Sequence, residues 1–115
     1  MQSEQLKDRI CQAIDDAKGR ETRVLDVRGL SDVTDFMVVT SGTSNRHVSS
    51  VADRVVEALK TQGQRPLGEE GRDTGEWVLI DFGDVLVHVM RPEVREFYNL
   101  EKLWGDWKAP EALDH

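Results

Sequence analysis

Cysteine, basic charge and long apolar runs are all scarce in this 115-residue chain. The one cysteine, Cys11, has no partner for an internal disulfide, and no His or Cys cluster has metal-ligand spacing. A disulfide framework and a zinc module are thereby excluded. Lys and Arg number 15 against 22 Asp and Glu, a net charge of −7. Phosphate neutralisation supplies most nucleic-acid affinity, so direct nucleic-acid recognition is not expected. Acidity either favours a basic protein partner or serves solubility alone. No run approaches the roughly 20 apolar residues of a membrane span. The start, MQSEQLKDRI, lacks the apolar core of a secretion signal. A cytoplasmic chain without a membrane partner is the expectation.

Catalytic signatures are missing too. The run SGTSNRH (residues 41–47), between a strand and a helix, is the one place for an anion at a helix N-terminus. It has neither the phosphate-loop nor the dinucleotide glycine spacing. Arg46 and His47 therefore serve either an anion or plain capping and packing. Metal-dependent nucleotidyl transfer needs two carboxylates one residue apart on a strand, and none of the expected strands carries such a pair. His47, His88 and His115 are scattered, and an Asp81–His88 pair lacks an accompanying nucleophile. Cys11, near Asp15 and Asp16, reads as a small packed residue.

What is present centres on residues 76–91, EWVLIDFGDVLVHVMR. Two β-rich runs joined by Gly83-Asp84 spell an antiparallel hairpin. Strand alternation puts Val78, Ile80, Phe82, Val85, Val87 and Val89 on one wholly apolar face. Trp77, Leu79, Asp81, Leu86, His88 and Met90 fall on the other, whose mixed character is that of an interface. This face either stays open for a partner or is covered by the C-terminal segment with Phe97, Tyr98 and Trp104.

The remaining elements follow from periodicity. Residues 3–18 spell a helix with Leu6, Ile10, Ala13, Ile14 and Ala17 on one side, Ser3 as N-cap and Gly19 as terminator. Residues 22–27 and 36–40 read as strands, the second apolar on both faces and so central. Ser44 caps a helix to about residue 62 with Val48, Val51, Ala52, Val55 and Leu59 as its stripe. Residues 65–67 suggest a short edge strand, residues 68–76 a glycine-rich acidic loop, and residues 93–103 a last helix. The order α-β-β-α-(β)-β-β-α gives an α/β (α+β) fold with a mixed sheet of four to five strands. A single domain over residues 1–107 with a tail at 108–115 is expected.

Three blocks, VVTSGTSNRHV, EGRDTGEWVLIDFGDVLVHVM and REFYNLEKLWGDW, occur in an order that closely resembles the ribosomal silencing factor (Iojap-like) family. The likeness spans residues 6–107. Phe82 stands where the family often has Tyr, and Met90 where another apolar residue is common. The resemblance implies a translation regulator without catalytic activity or cofactor. Its fold would be nucleotidyltransferase-like without that fold's metal carboxylates. It further implies binding to the large ribosomal subunit at ribosomal protein number fourteen, blocking the small subunit from joining when nutrients are scarce. Trp77, Leu79, Asp81, His88, Met90, Arg95 and Tyr98 are the partner-binding residues it suggests here, with Glu69 and Glu70 pairing to basic groups. A homodimer through the same face is a further implied partner.

Overall fold

The structure is a computed structural model and describes residues 1–98. Helix α1 (Ser3–Asp16) buries Leu6, Ile10, Ala13 and Ile14, the stripe its spacing dictates. Its N-cap is Gln2, not the expected Ser3; the Gln2 amide donates to Gln5 Oε1 at 3.3 Å. The C-terminal stop also differs by one residue. Lys18, at φ 63°, takes the left-handed position, its N–H donating to the Asp15 carbonyl at 2.9 Å. Gly19 follows, donating to the Ile14 carbonyl at 2.8 Å, and the pair of bonds forms a Schellman close.

Strand β1 (Arg20–Asp26) runs antiparallel to β2 (Phe36–Ser41), with a bulge between Arg20 and Arg23 where Glu21 has φ 48°. All six β2 residues are buried, as a run apolar on both faces requires in a central strand. Helix α2 (Asn45–Lys60) starts where Ser44 Oγ accepts the His47 N–H at 3.1 Å, and it buries all five stripe residues. Ser44→Ala removes this cap and is expected to cost about 1 kcal/mol. A urea midpoint equal to wild type would show the cap to be idle.

The edge strand β3 is Gly68–Glu70, displaced from the expected residues 65–67. Pro66 has no N–H to give, and the first link comes after it, from the Leu67 amide to the Asp81 carbonyl at 2.6 Å. Strands β4 (Trp77–Asp81) and β5 (Val85–Met90) form the hairpin, closed by the Phe82 N–H on the Val85 carbonyl at 3.0 Å. Helix α3 (Pro92–Tyr98) ends the described chain. The sheet order is β1-β2-β5-β4-β3, with β2 and β5 parallel and every other pair antiparallel. This is the mixed five-stranded α+β architecture expected.

Helices α1 and α2 cover one sheet face, where Val78, Ile80, Val85, Val87 and Val89 join their stripes in the main core. On the other face Met37, Val39 and Met90 form a smaller cluster, with Leu25, Trp77, Leu86 and Val94 packed against it. Trp104, the remainder of the expected last helix and the boundary at residue 107 lie outside the described residues.

Candidate partner-binding face

Residues paired directly across adjacent strands share a face, so the register assembles the outer face residue by residue. Trp77 lies opposite Met90, Leu79 opposite His88, and Asp81 opposite Leu86. On the far side of β4, Glu70 pairs with Leu79 and Gly68 with Asp81, which brings the Glu70 position onto the same face. Glu69 pairs with Ile80 on the helix side and is held by Arg72 Nε at 3.0 Å, so the two acidic neighbours part company. Two shallow clefts follow β4: one of about 410 Å³ lined by Glu70, Gly71, Trp77 and Leu79, the other of about 290 Å³ lined by Gly68, Glu69, Glu70, Leu79 and Asp81.

Depth separates the seven expected residues. Trp77, Leu79 and Asp81 are half-buried and so available to a partner, as is Leu86. His88 retains 6% of its surface, Met90 0% and Arg95 7%. Those three are enclosed by the chain itself. The Arg95 guanidinium donates to Ser41 Oγ at 2.8 Å and to the carbonyls of Glu21 at 2.6 Å and Arg20 at 3.4 Å. The β1 bulge presents two of those oxygens, and the contacts fasten α3 to the β1–β2 end of the sheet. Tyr98 is the last residue of α3, and its side chain lies outside the described residues.

An Asp81–His88 pair does not form. Asp81 Oδ1 accepts the Gly83 N–H at 2.7 Å and so braces the hairpin turn. His88 instead takes the Trp77 indole N–H on Nδ1 at 3.0 Å, the rings tilted at 44° with centroids 5.8 Å apart. A donor at Nδ1 leaves the proton of the neutral ring on Nε2. Burial penalises the charged form and pulls the His88 pKa down to about 4.

The run at residues 41–47 is structural. His47 Nδ1 accepts the Thr43 N–H at 2.9 Å, and Nε2 reaches the Ala17 carbonyl at 3.0 Å. Both ring nitrogens are thus committed to joining the α1 end to the α2 start. Arg46 is exposed beside them. No group of three or more His, Cys, Asp or Glu among the described residues is placed to hold a metal. Burial raises the Cys11 thiol pKa, with Lys7 opposing, which suits a packed residue rather than a nucleophile.

A family model described as "Ribosomal silencing factor during starvation" matches residues 1–114. The chain belongs to the ribosomal silencing factor family. The ribosomal silencing factor RsfS of Haemophilus influenzae is 42% identical over 96 residues, which is 84% of this chain and 94% of that one. RsfS of Chromobacterium violaceum is 42% identical over 113 residues, 98% of this chain and 93% of its own. The chloroplastic protein Iojap of Zea mays is 31% identical over 97 residues, 84% of this chain but 42% of the maize protein. A crystal structure of a Chromobacterium violaceum protein superposes with a TM-score of 0.90 at 41% identity, covering 95% of this chain and 91% of that one. Among the described residues no helix is long and apolar enough to cross a membrane.

The helix-covered side of the sheet is filled, while Trp77 and Leu79 on the β4 side stay half-buried. Leu86 lies on the same outer face, where strand parity put it. Of the two acidic residues expected to meet basic groups, the β3 register puts Glu70 opposite Leu79 on this face and Glu69 opposite Ile80 on the other.

Proposed function

We propose that the chain docks on the large ribosomal subunit through the β4 half of its outer sheet face and there blocks joining of the small subunit, lowering translation when nutrients are limiting. Membership of the silencing factor family carries this reading. The half-open Trp77–Leu79 surface supplies a place for the contact. Ribosomal protein number fourteen is the proposed partner, reached from the cytoplasm. Trp77 and Leu79 offer the apolar anchors, with Tyr98 assigned the same role from the family motif. Asp81 and Glu70 offer carboxylates to basic groups, which speeds encounter more than it tightens the complex. His88, Met90 and Arg95 act from beneath, holding Trp77 and α3 in place. The function asks for no catalytic group.

Sedimentation with purified large subunits tests the proposal. Trp77→Ala is expected to weaken binding by about 2 kcal/mol or more, the cost of truncating a central aromatic anchor. Wild-type binding by this variant would move the contact elsewhere. Absence of the wild-type chain from the subunit fraction would reject the docking itself. Self-association through the same face would compete with the ribosome, and light scattering across a concentration series reads it directly.

A further inference from the structure

Three connections meet at one end of the sheet: residues 31–35 ahead of β2, the hairpin tip at 82–84, and residues 65–67 ahead of β3. Their meeting follows from the register, which sets Phe36 beside Val85 and Gly68 opposite Asp81. Hydrogen bonds stitch them together. The Asp84 carbonyl accepts the N–H groups of Asp35 at 2.9 Å and Phe36 at 3.0 Å, and the Asp81 carbonyl accepts that of Leu67 at 2.6 Å. Ser31 Oγ accepts the Val33 N–H at 3.1 Å, and Asp81 Oδ1 that of Gly83 at 2.7 Å. The backbone of this end is fixed.

Two side chains on it nevertheless point away from any core. Leu67 keeps 76% of its surface and Val33 75%, the two most exposed large apolar residues of the described chain. A single exposed apolar residue is ordinary, whereas two held out at the same end by a braced backbone make a patch that a partner can cover. Leu67 leans over the hairpin tip, since a Cβ on Gly83 would meet its Cδ1 at 3.3 Å. The charges around the patch have one predominant sign. Asp32 and Asp84 are exposed and Asp35 and Asp81 half-buried, and among the described residues none of them is in an ion pair. Arg28 is committed to Asp26 and Glu4, and the exposed Arg65 offsets one carboxylate at most.

We infer that this end of the sheet is a second contact surface, one that takes a basic protein segment whose apolar side chains cover Leu67 and Val33 while its cations meet Asp32 and Asp84. Charge selects the occupant. RNA phosphates would face unpaired carboxylates and be repelled, and a second copy packed tip to tip would oppose like charges. The patch is also continuous with the proposed docking face. Asp81 and Gly68 line the smaller of its clefts, and Leu67 directly precedes Gly68. The inference therefore rests on the docking reading and extends the footprint around the corner of the sheet, onto a basic segment of the same large-subunit partner. A backbone already fixed by hydrogen bonds loses little freedom on binding, so apolar contact made here goes mostly into affinity.

Two double variants test the surface: Leu67→Ser with Val33→Thr, and Asp32→Asn with Asp84→Asn. All four side chains are exposed, so urea midpoints near wild type are expected for both proteins. In sedimentation with purified large subunits, the apolar variant is expected to bind roughly tenfold more weakly. The carboxylate variant is expected to bind about threefold more weakly and to depend less on salt than wild type does. Wild-type affinity in the apolar variant overturns the inference, and Trp77→Ala measured beside it shows whether the β4 contact stands alone. Unchanged or tighter binding by the carboxylate variant rules out a basic segment, tighter binding pointing to phosphate instead. If the wild-type chain itself stays out of the subunit fraction, the docking reading fails and the inference falls with it.

Discussion

Gly71→Ala is expected to lower stability by about 3 kcal/mol and to displace Trp77 from the outer face. Gly71 opens the connection between β3 and β4 at φ +86°, a backbone region that disfavours any side chain. The steric problem is larger than the conformational one. A Cβ at this position would stand 1.8 Å from the Trp77 carbonyl oxygen, 3.0 Å from its carbonyl carbon and 3.4 Å from Val78 Cα. These are backbone atoms of a paired strand, so no rotamer change relieves the overlap. Either the loop lifts away or β4 shifts at its first residue. Loop movement strains the ties that anchor this segment, namely Arg72 to Asp53 at 2.6 Å and to Glu69 at 3.0 Å, and the Asn45 amide to the Thr74 carbonyl at 3.0 Å. Strand movement carries Trp77 off His88. Gly63→Ala is the matched control: its φ is +76°, but no atom lies within 4 Å of the added carbon. It should cost only about 1 kcal/mol, the conformational share. Urea midpoints for the two variants decide the matter. Equal shifts would mean that close approach to Trp77 contributes nothing. Beyond its loss of stability, the folded Gly71→Ala protein should also bind large subunits more weakly than Gly63→Ala does.

Much of this architecture was readable from alternation alone, because a strand has only two sides. Val78, Ile80, Val85, Val87 and Val89 are all fully buried against the helices, as their parity required. The α2 stripe and its Ser44 cap follow as directly from helical spacing. Parity, however, tells which face a residue occupies and not how far it lies from the sheet edge. The order β1-β2-β5-β4-β3 puts β5 in the middle and β4 one strand from the rim. That order arises from the parallel pairing of β2 with β5, a contact across more than forty residues that no local pattern encodes. His88 and Met90 thereby lie deep while Trp77 and Leu79, of the same parity class, remain reachable. Arg95 was hard to read for the same reason: its acceptors belong to residues 20, 21 and 41, and two are carbonyls turned by a bulge. Lys18 in the left-handed position and Gly68-Glu69-Glu70 in a strand both run against residue preference, so composition pointed elsewhere. The likeness to the family named the face; only the strand order showed which half of it is open.

Acidification from pH 6.5 to pH 4 is expected to remove about 3 kcal/mol of stability through His88 alone. The unfolded ring takes its proton near 6.5, whereas in the folded chain burial holds the pKa down to about 4. Between those values the unfolded state binds more protons than the native one, so stability rises with pH across the window. It is fully present above the unfolded value and is lost as pH falls towards the folded one, below which this group adds no further slope. The bond geometry gives the same sign. A proton on Nδ1 turns the acceptor for the Trp77 indole into a second donor, and the two N–H groups 3.0 Å apart then oppose each other. Urea denaturation at pH 7, 5.5 and 4.5 on wild type and His88→Asn isolates the effect, because the carboxylates common to both proteins cancel in the difference. By pH 4.5 wild type should already have lost most of that amount relative to the variant. Parallel slopes would show that the ring is not held neutral by burial. The Trp77 bond depends on that neutrality, because only the neutral ring leaves Nδ1 free to accept the indole N–H.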